Sequence, residues 1–219
     1  DAKERVRELQ AVNVVKLPNG LNFKQQTVIC KQMCALYNAK AIVIDINGLG
    51  KGLLDYMLDR NILDDGTELE PYDMINTDYR SDYRDAKKLV YGIEAQKNNT
   101  EMITNFINVV EGSILRILEH FDVNKALDIP DEDFMVSDVL PFLRTENFIS
   151  EVQNITVETI PGTGKLKIGQ VVKADKDIYS ATIQVCWYVM AFCNDALPDE
   201  DEDFASFFSG FISQPKIKR

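Results

Sequence analysis

The sequence predicts an α/β fold with helices flanking a mixed sheet, and three observations predict it. Short apolar runs alternate with longer runs of helical period. One short run, AIVIDI (41–46), passes directly into a glycine-rich turn and then an amphipathic stretch, the order of a strand feeding a helix. Two β-rich segments, ITVETI and LKIGQVV, flank the turn PGTGK and predict an added β-hairpin.

The elements follow in order. AVNVVKL (11–17) is strand-like and ends in a PNG turn at 18–20. Residues 25–38 place Val28, Ile29, Met33, Leu36 and Tyr37 at helical spacing. AIVIDI is the next strand, and a helix follows from about Lys51 to Arg60. The acidic segment 63–85 has no sustained period and reads as a long surface loop. AKKLVYGIEA (86–95) returns to strand character, and a helix over 98–110 begins at an asparagine cap. SILRIL (113–118) fits either a helix end or a strand, and DIPDEDF (128–134) is a loop. FMVSDVLPFLRTENFISEVQN is mostly helical, with Pro141 as a kink or boundary. Residues 177–197 form a long apolar helix, followed by acidic PDEDED and a short basic tail.

Composition narrows the function classes. The 219 residues are 45% hydrophobic and 27% charged, an ordinary globular balance with enough chain for a sizeable core. No run of 18 apolar residues exists to span a membrane, and DAKERVRELQ lacks the apolar centre of a signal peptide, so a cytoplasmic protein is expected. The net charge of −11 argues against gripping nucleic acid by phosphate neutralisation alone. Cys30, Cys34, Cys186 and Cys193 sit within apolar helical runs and read as buried free thiols. The single histidine, His120, reads as a surface or helix-end residue.

The glycines after Asp45, at 48, 50 and 52, are spaced GxGxG and not GxGxxG, so a dinucleotide loop is disfavoured. GTGK (162–165) lacks the earlier glycine and the following Ser or Thr of a phosphate loop, with Thr159 and Leu166 in those places, and reads as the hairpin turn. Asp45 is different. Burying an unpaired carboxylate costs several kcal/mol, so it is expected to be paired, protonated or metal-bound. At a strand's carboxyl end it would face the crevice where open sheets place ligands, and the small residues after it leave room for a ligand or another backbone. The alternative is that it caps the next turn through Asn47 or Gly48. Asp175 and Asp177 precede the last apolar helix, where they either cap it or offer oxygen ligands to a hard divalent cation.

The order of segments resembles the C-terminal nuclease domain of the large terminase subunit of tailed double-stranded DNA phages. IVIDINGLGKGLLDYML is similar to that family's strand, Asp, Asn-Gly-x-Gly turn and following aspartate, Asp55 in this chain. DDGTELEPY, AKKLVYGIEAQKNN with EGSILRIL, LRTENFISEVQNI and KDIYSATIQVCWYVM continue the series across most of the sequence. The resemblance implies a single ribonuclease H-like nuclease domain over residues 1–219 that cuts concatemeric DNA by two-metal phosphodiester hydrolysis. It implies Asp45 and Asp177 as catalytic metal ligands, Asp175 as an auxiliary ligand, and two Mg²⁺ or Mn²⁺ ions as cofactors. Asp55 is structural first. The implied partners are double-stranded DNA, the terminase ATPase domain, the small terminase subunit and the portal, with no membrane, in the host cytoplasm during virion assembly.

Three departures accompany the resemblance. Ile178 stands where the family continues with arginine, and no histidine lies near Asp177. Only DAKERVRELQ stands where the family's first catalytic strand would be, so either this is a fragment whose first strand is absent or the resemblance fails there. As it stands, the sequence shows two metal acids of three, without the ATPase half. A catalytically incomplete docking or regulatory module is therefore the alternative, and a nucleotide- or cofactor-binding α/β domain is the third reading.

Overall fold

A computed structural model of the protein describes residues 8–48, 50–118 and 136–192, with only the backbone for 136–138. His120, Cys193, the 128–134 loop, PDEDED and the basic tail lie outside these residues. The described chain is mixed α/β, with five helices and several small sheets. It divides into two compact units, one made from the segment ending at Lys16 together with Asn99–Phe192, the other from Leu17–Asn98. No helix among the described residues is long and apolar enough to cross a membrane.

The continuous unit begins with α1 (Phe23–Leu36), opened by a capping box in which Asn22 and Gln25 exchange side-chain and backbone hydrogen bonds. Strand β2 (Ile42–Asp45) and α2 (Gly50–Leu58) follow, then the short antiparallel pair β3 (Asn61–Ile62) and β4 (Glu68–Leu69). Strands β5 (Tyr72–Met74) and β6 (Lys87–Ile93) join β2 in a parallel sheet of order β2-β6-β5. The expected surface loop at 63–85 is thus corrected: it holds β4, β5 and most of a crossover. Parallel neighbours need a long connection, and residues 75–86 make it without a helix. Its side chains hold it down: Ser81 Oγ donates to the Leu58 carbonyl at 2.5 Å, and Tyr79 Oη to Asp55 Oδ1 at 2.8 Å. Met57, Leu54, Tyr72, Met74 and Val90 form the core under this sheet.

The buried residues of α1 are Thr27 and Lys31, so the apolar face expected from Val28, Ile29, Met33, Leu36 and Tyr37 is rotated; Leu36 is 64% exposed. Lys31, 1% exposed, donates from Nζ to the carbonyls of Asp59 (2.6 Å) and Glu70 (2.8 Å) and lies 5.1 Å from the Tyr72 ring centroid.

In the other unit, β1 (Leu9–Gln10) pairs in parallel with β7 (Leu115–Arg116), which settles SILRIL as a strand. AVNVVKL is not a strand: after the Ala11 N–H bond to Arg116 the ladder ends, and Val12 and Val15 are about half exposed. Helix α3 (Ala95–Glu111), whose first four residues belong to Leu17–Asn98, starts three residues before the expected cap. Helix α4 (Val136–Gln153) contains Pro141 within it, the hairpin β8 (Ile155–Thr159) and β9 (Leu166–Gln170) forms as expected, and α5 (Asp177–Phe192) packs on α4. Phe106 meets Tyr179 edge to face at 5.5 Å in this unit's core. In place of one mixed sheet, the described strands form four small ones, because β1, β3, β4 and β7 have two residues each and extend no ladder.

Cys30, Cys34 and Cys186 are free thiols, the first two half-buried and the third buried. Burial pushes Cys34 and Cys186 up to about 11 and Tyr72 and Tyr179 up to about 12. Their ordinary values are 9.0 and 10.0, so between these and the folded values the native state retains protons that the unfolded chain sheds. That stability is present below pH 9 and lost as pH rises. Lys31 runs the opposite way: desolvation lowers it from 10.5 to about 8, which relieves the fold between those values. Four groups outweigh one. Urea melts at pH 7.5, 9 and 10.5 are expected to show falling midpoints above pH 9; a constant midpoint would contradict this burial pattern.

Candidate functional site

Asp45 ends β2 at the carboxyl edge of the parallel sheet, half-buried. The pairing with β6 runs one residue further, through the Ile46 N–H to the Ile93 carbonyl at 2.9 Å. Its Oδ1 accepts the Asn47 N–H at 3.1 Å and the Ala95 N–H, the first of α3, at 3.5 Å. The turn-capping alternative is therefore real: one oxygen is bound to the next turn and to a helix start, where negative charge is favoured. Its Oδ2 accepts no hydrogen bond among the described residues. Beside it, the Asn47 amide Nδ2 is buried with no partner among them.

The glycines following Asp45 have packing and conformational reasons. Gly48 has φ +58° with open space around it. A Cβ on Gly50 would fall 1.6 Å from the Asp45 carbonyl oxygen, and one on Gly52 would fall 2.6 Å from the Phe23 ring. What approaches Asp45 closely is the chain's own backbone. Asp55 is exposed on α2 and is engaged by the Tyr79 hydroxyl.

Asp175 and Asp177 lie in the other unit, both exposed. Asp177 is the first residue of α5, in the turn where a carboxylate suits the helix dipole. Asp175 does not cap that helix; its Oδ2 accepts Lys16 Nζ at 2.8 Å. The contact holds the Asp175 carboxyl below its ordinary value and raises the Lys16 ammonium, which also feels Asp177 and Glu151. The cap comes from Glu151 of α4, whose Oε2 accepts the Tyr179 N–H at 2.8 Å. Lys16 and Glu151 escaped the sequence reading because they stand 159 and 28 residues from their partners, beyond any local pattern.

Comparison with family models, curated proteins and solved structures finds no match. Among the described residues, no three His, Cys, Asp or Glu side chains gather as a set able to hold a metal ion. The chemistry present is thus local: an aspartate with one uncommitted oxygen beside an orphan amide in one unit, and carboxylates with an ammonium in the other.

Proposed function

We propose that the chain is the metal-dependent endonuclease domain of a viral DNA-packaging terminase, of ribonuclease H-like architecture, acting on concatemeric double-stranded DNA in the host cytoplasm. The observation that carries this reading is Asp45, at the carboxyl edge of a parallel sheet with its Oδ2 uncommitted and the unpaired Asn47 amide beside it. Asp45, Asp177 and, as auxiliary, Asp175 are the carboxylates this reading assigns to Mg²⁺ or Mn²⁺, since carboxylate oxygens suit hard cations. Among the described residues these carboxylates do not gather as a set of three. Such ions would supply the activation of water and the stabilisation of the leaving oxygen that phosphodiester hydrolysis requires. The Asn47 amide would offer a donor to a phosphate oxygen. The ATPase domain, small terminase subunit and portal are the partners this reading carries.

A second reading, a catalytically incomplete docking module, draws support from the same residues. Asp45 already serves a turn and a helix start, and Asp175 already serves Lys16.

Nicking of supercoiled plasmid with Mn²⁺, Mg²⁺ or EDTA separates the two. Cleavage that needs the metal and disappears in both Asp45→Ala and Asp177→Ala is the expected result. A folded parent that leaves the plasmid intact would transfer the assignment to the docking module, and either variant cutting as well as the parent would remove that aspartate from the cutting site.

A further inference from the structure

We propose that Arg144, together with Lys16, Asn147 and Ser150, forms a pocket for one backbone phosphate of a polynucleotide. The pocket has a volume of about 280 Å³ and is also lined by Glu151 and Asp175. Arg144, Asn147 and Glu151 lie three and four residues apart along one face of α4, while Val139, Thr145 and Phe148 are buried. The two acids of the pocket are committed, Asp175 to Lys16 and Glu151 to the Tyr179 N–H.

The cation is not committed. Arg144 is half-buried and makes no ion pair among the described residues, and the side chains of Asn147 and Ser150 have no hydrogen bond among them. A guanidinium, an amide and a hydroxyl lining one small concavity suit the tetrahedral oxygens of a phosphate. Lys16 adds an ammonium at the rim, where its pair with Asp175 offsets that carboxylate's charge. Against a net charge of −11, such a focal cation gives a polyanion a local point of attraction.

The choice of a polynucleotide rests on the nuclease reading, so the test is run in EDTA, where metal chemistry plays no part. Binding of a fluorescent duplex is measured by anisotropy over a KCl series for the parent, Arg144→Gln and Arg144→Lys, each checked for an unchanged melt. Arg144→Gln is expected to weaken binding about 10-fold at low salt and to reduce the slope of log K against log salt by about 0.9. Arg144→Lys retains the charge and is expected to retain the slope. Inorganic phosphate is titrated against the Arg144 Nε–H and Asn147 amide NMR signals, which are expected to shift together. A parent that binds no duplex, or an Arg144→Gln chain with unchanged affinity and slope, overturns the proposal. Phosphate shifts with no change in duplex affinity overturn the polynucleotide assignment and leave a free-phosphate site. If plasmid nicking fails while Arg144 still governs duplex binding, the nuclease reading falls and the pocket stands. A chain that nicks, yet whose duplex affinity ignores Arg144, refutes the pocket alone.

Discussion

Gly50→Ala is expected to destabilise the continuous unit by more than about 3 kcal/mol, beyond ordinary overpacking. The added Cβ would lie 1.6 Å from the Asp45 carbonyl oxygen and 2.8 Å from its carbon. Both are backbone atoms, so no rotamer change relieves the collision. The turn between β2 and α2 must open, and opening it moves the residue whose carboxylate faces Asn47 and the start of α3. The same substitution should therefore abolish any activity that depends on Asp45. Gly48→Ala serves as the comparison: it meets nothing within 4 Å but is held at φ +58°, a conformation costing about 1–2 kcal/mol for an L-residue. Urea melts of the two variants would decide the matter. A Gly50→Ala chain no less stable than Gly48→Ala would mean that the close approach is dispensable.

Lys31→Ala is expected to cost about 3–5 kcal/mol. The ammonium is enclosed, and it supplies a donor to the Asp59 carbonyl at the end of α2 and another to the Glu70 carbonyl before β5. Truncation leaves both oxygens short of a donor and opens a cavity beside Tyr72. Lys31→Met separates these contributions: it refills the volume but restores no donor, so it should recover part of the loss and no more. Denaturant melts of both variants measure the split. A methionine variant as stable as the parent would show that the hydrogen bonds only offset the desolvation of the charge.

What could be read in advance follows from the range over which each feature is encoded. β2, α2 and the β8–β9 hairpin were legible because a short apolar run, a 3.6-residue period and PGTGK are signals contained within a few residues. β5 was not, since Tyr-Asp-Met is too short to show alternation and its partner strand begins only at Lys87. AVNVVKL misled in the other direction: its composition is β-rich, but a strand needs a neighbour, and β7 offers two residues. Of the candidate site, Asp45 was legible from a charge placed at the end of an apolar run. The Gly50 approach was legible only as small residues leaving room, without the identity of what enters. Lys31 gave no hint, because a lysine within a helix reads as solvent-facing until its carbonyl partners are known. Arg144 likewise reads as an ordinary helix-surface cation until Lys16 and Asp175 are found beside it.

The two units are threaded differently, and this bears on how the chain assembles. Among the described residues, Leu17–Asn98 is one uninterrupted stretch, whereas its companion needs segments from either side of that stretch, with Leu9 meeting Leu115. During synthesis the uninterrupted unit can gather as soon as its last strand emerges. The interrupted one must wait. Lys16 is made early and reaches Asp175 only after 158 intervening residues exist, so the acidic start of α5 is completed last. Any chemistry that depends on Asp177 thus stays silent in a nascent or truncated chain, while Asp45 and its turn are already in place.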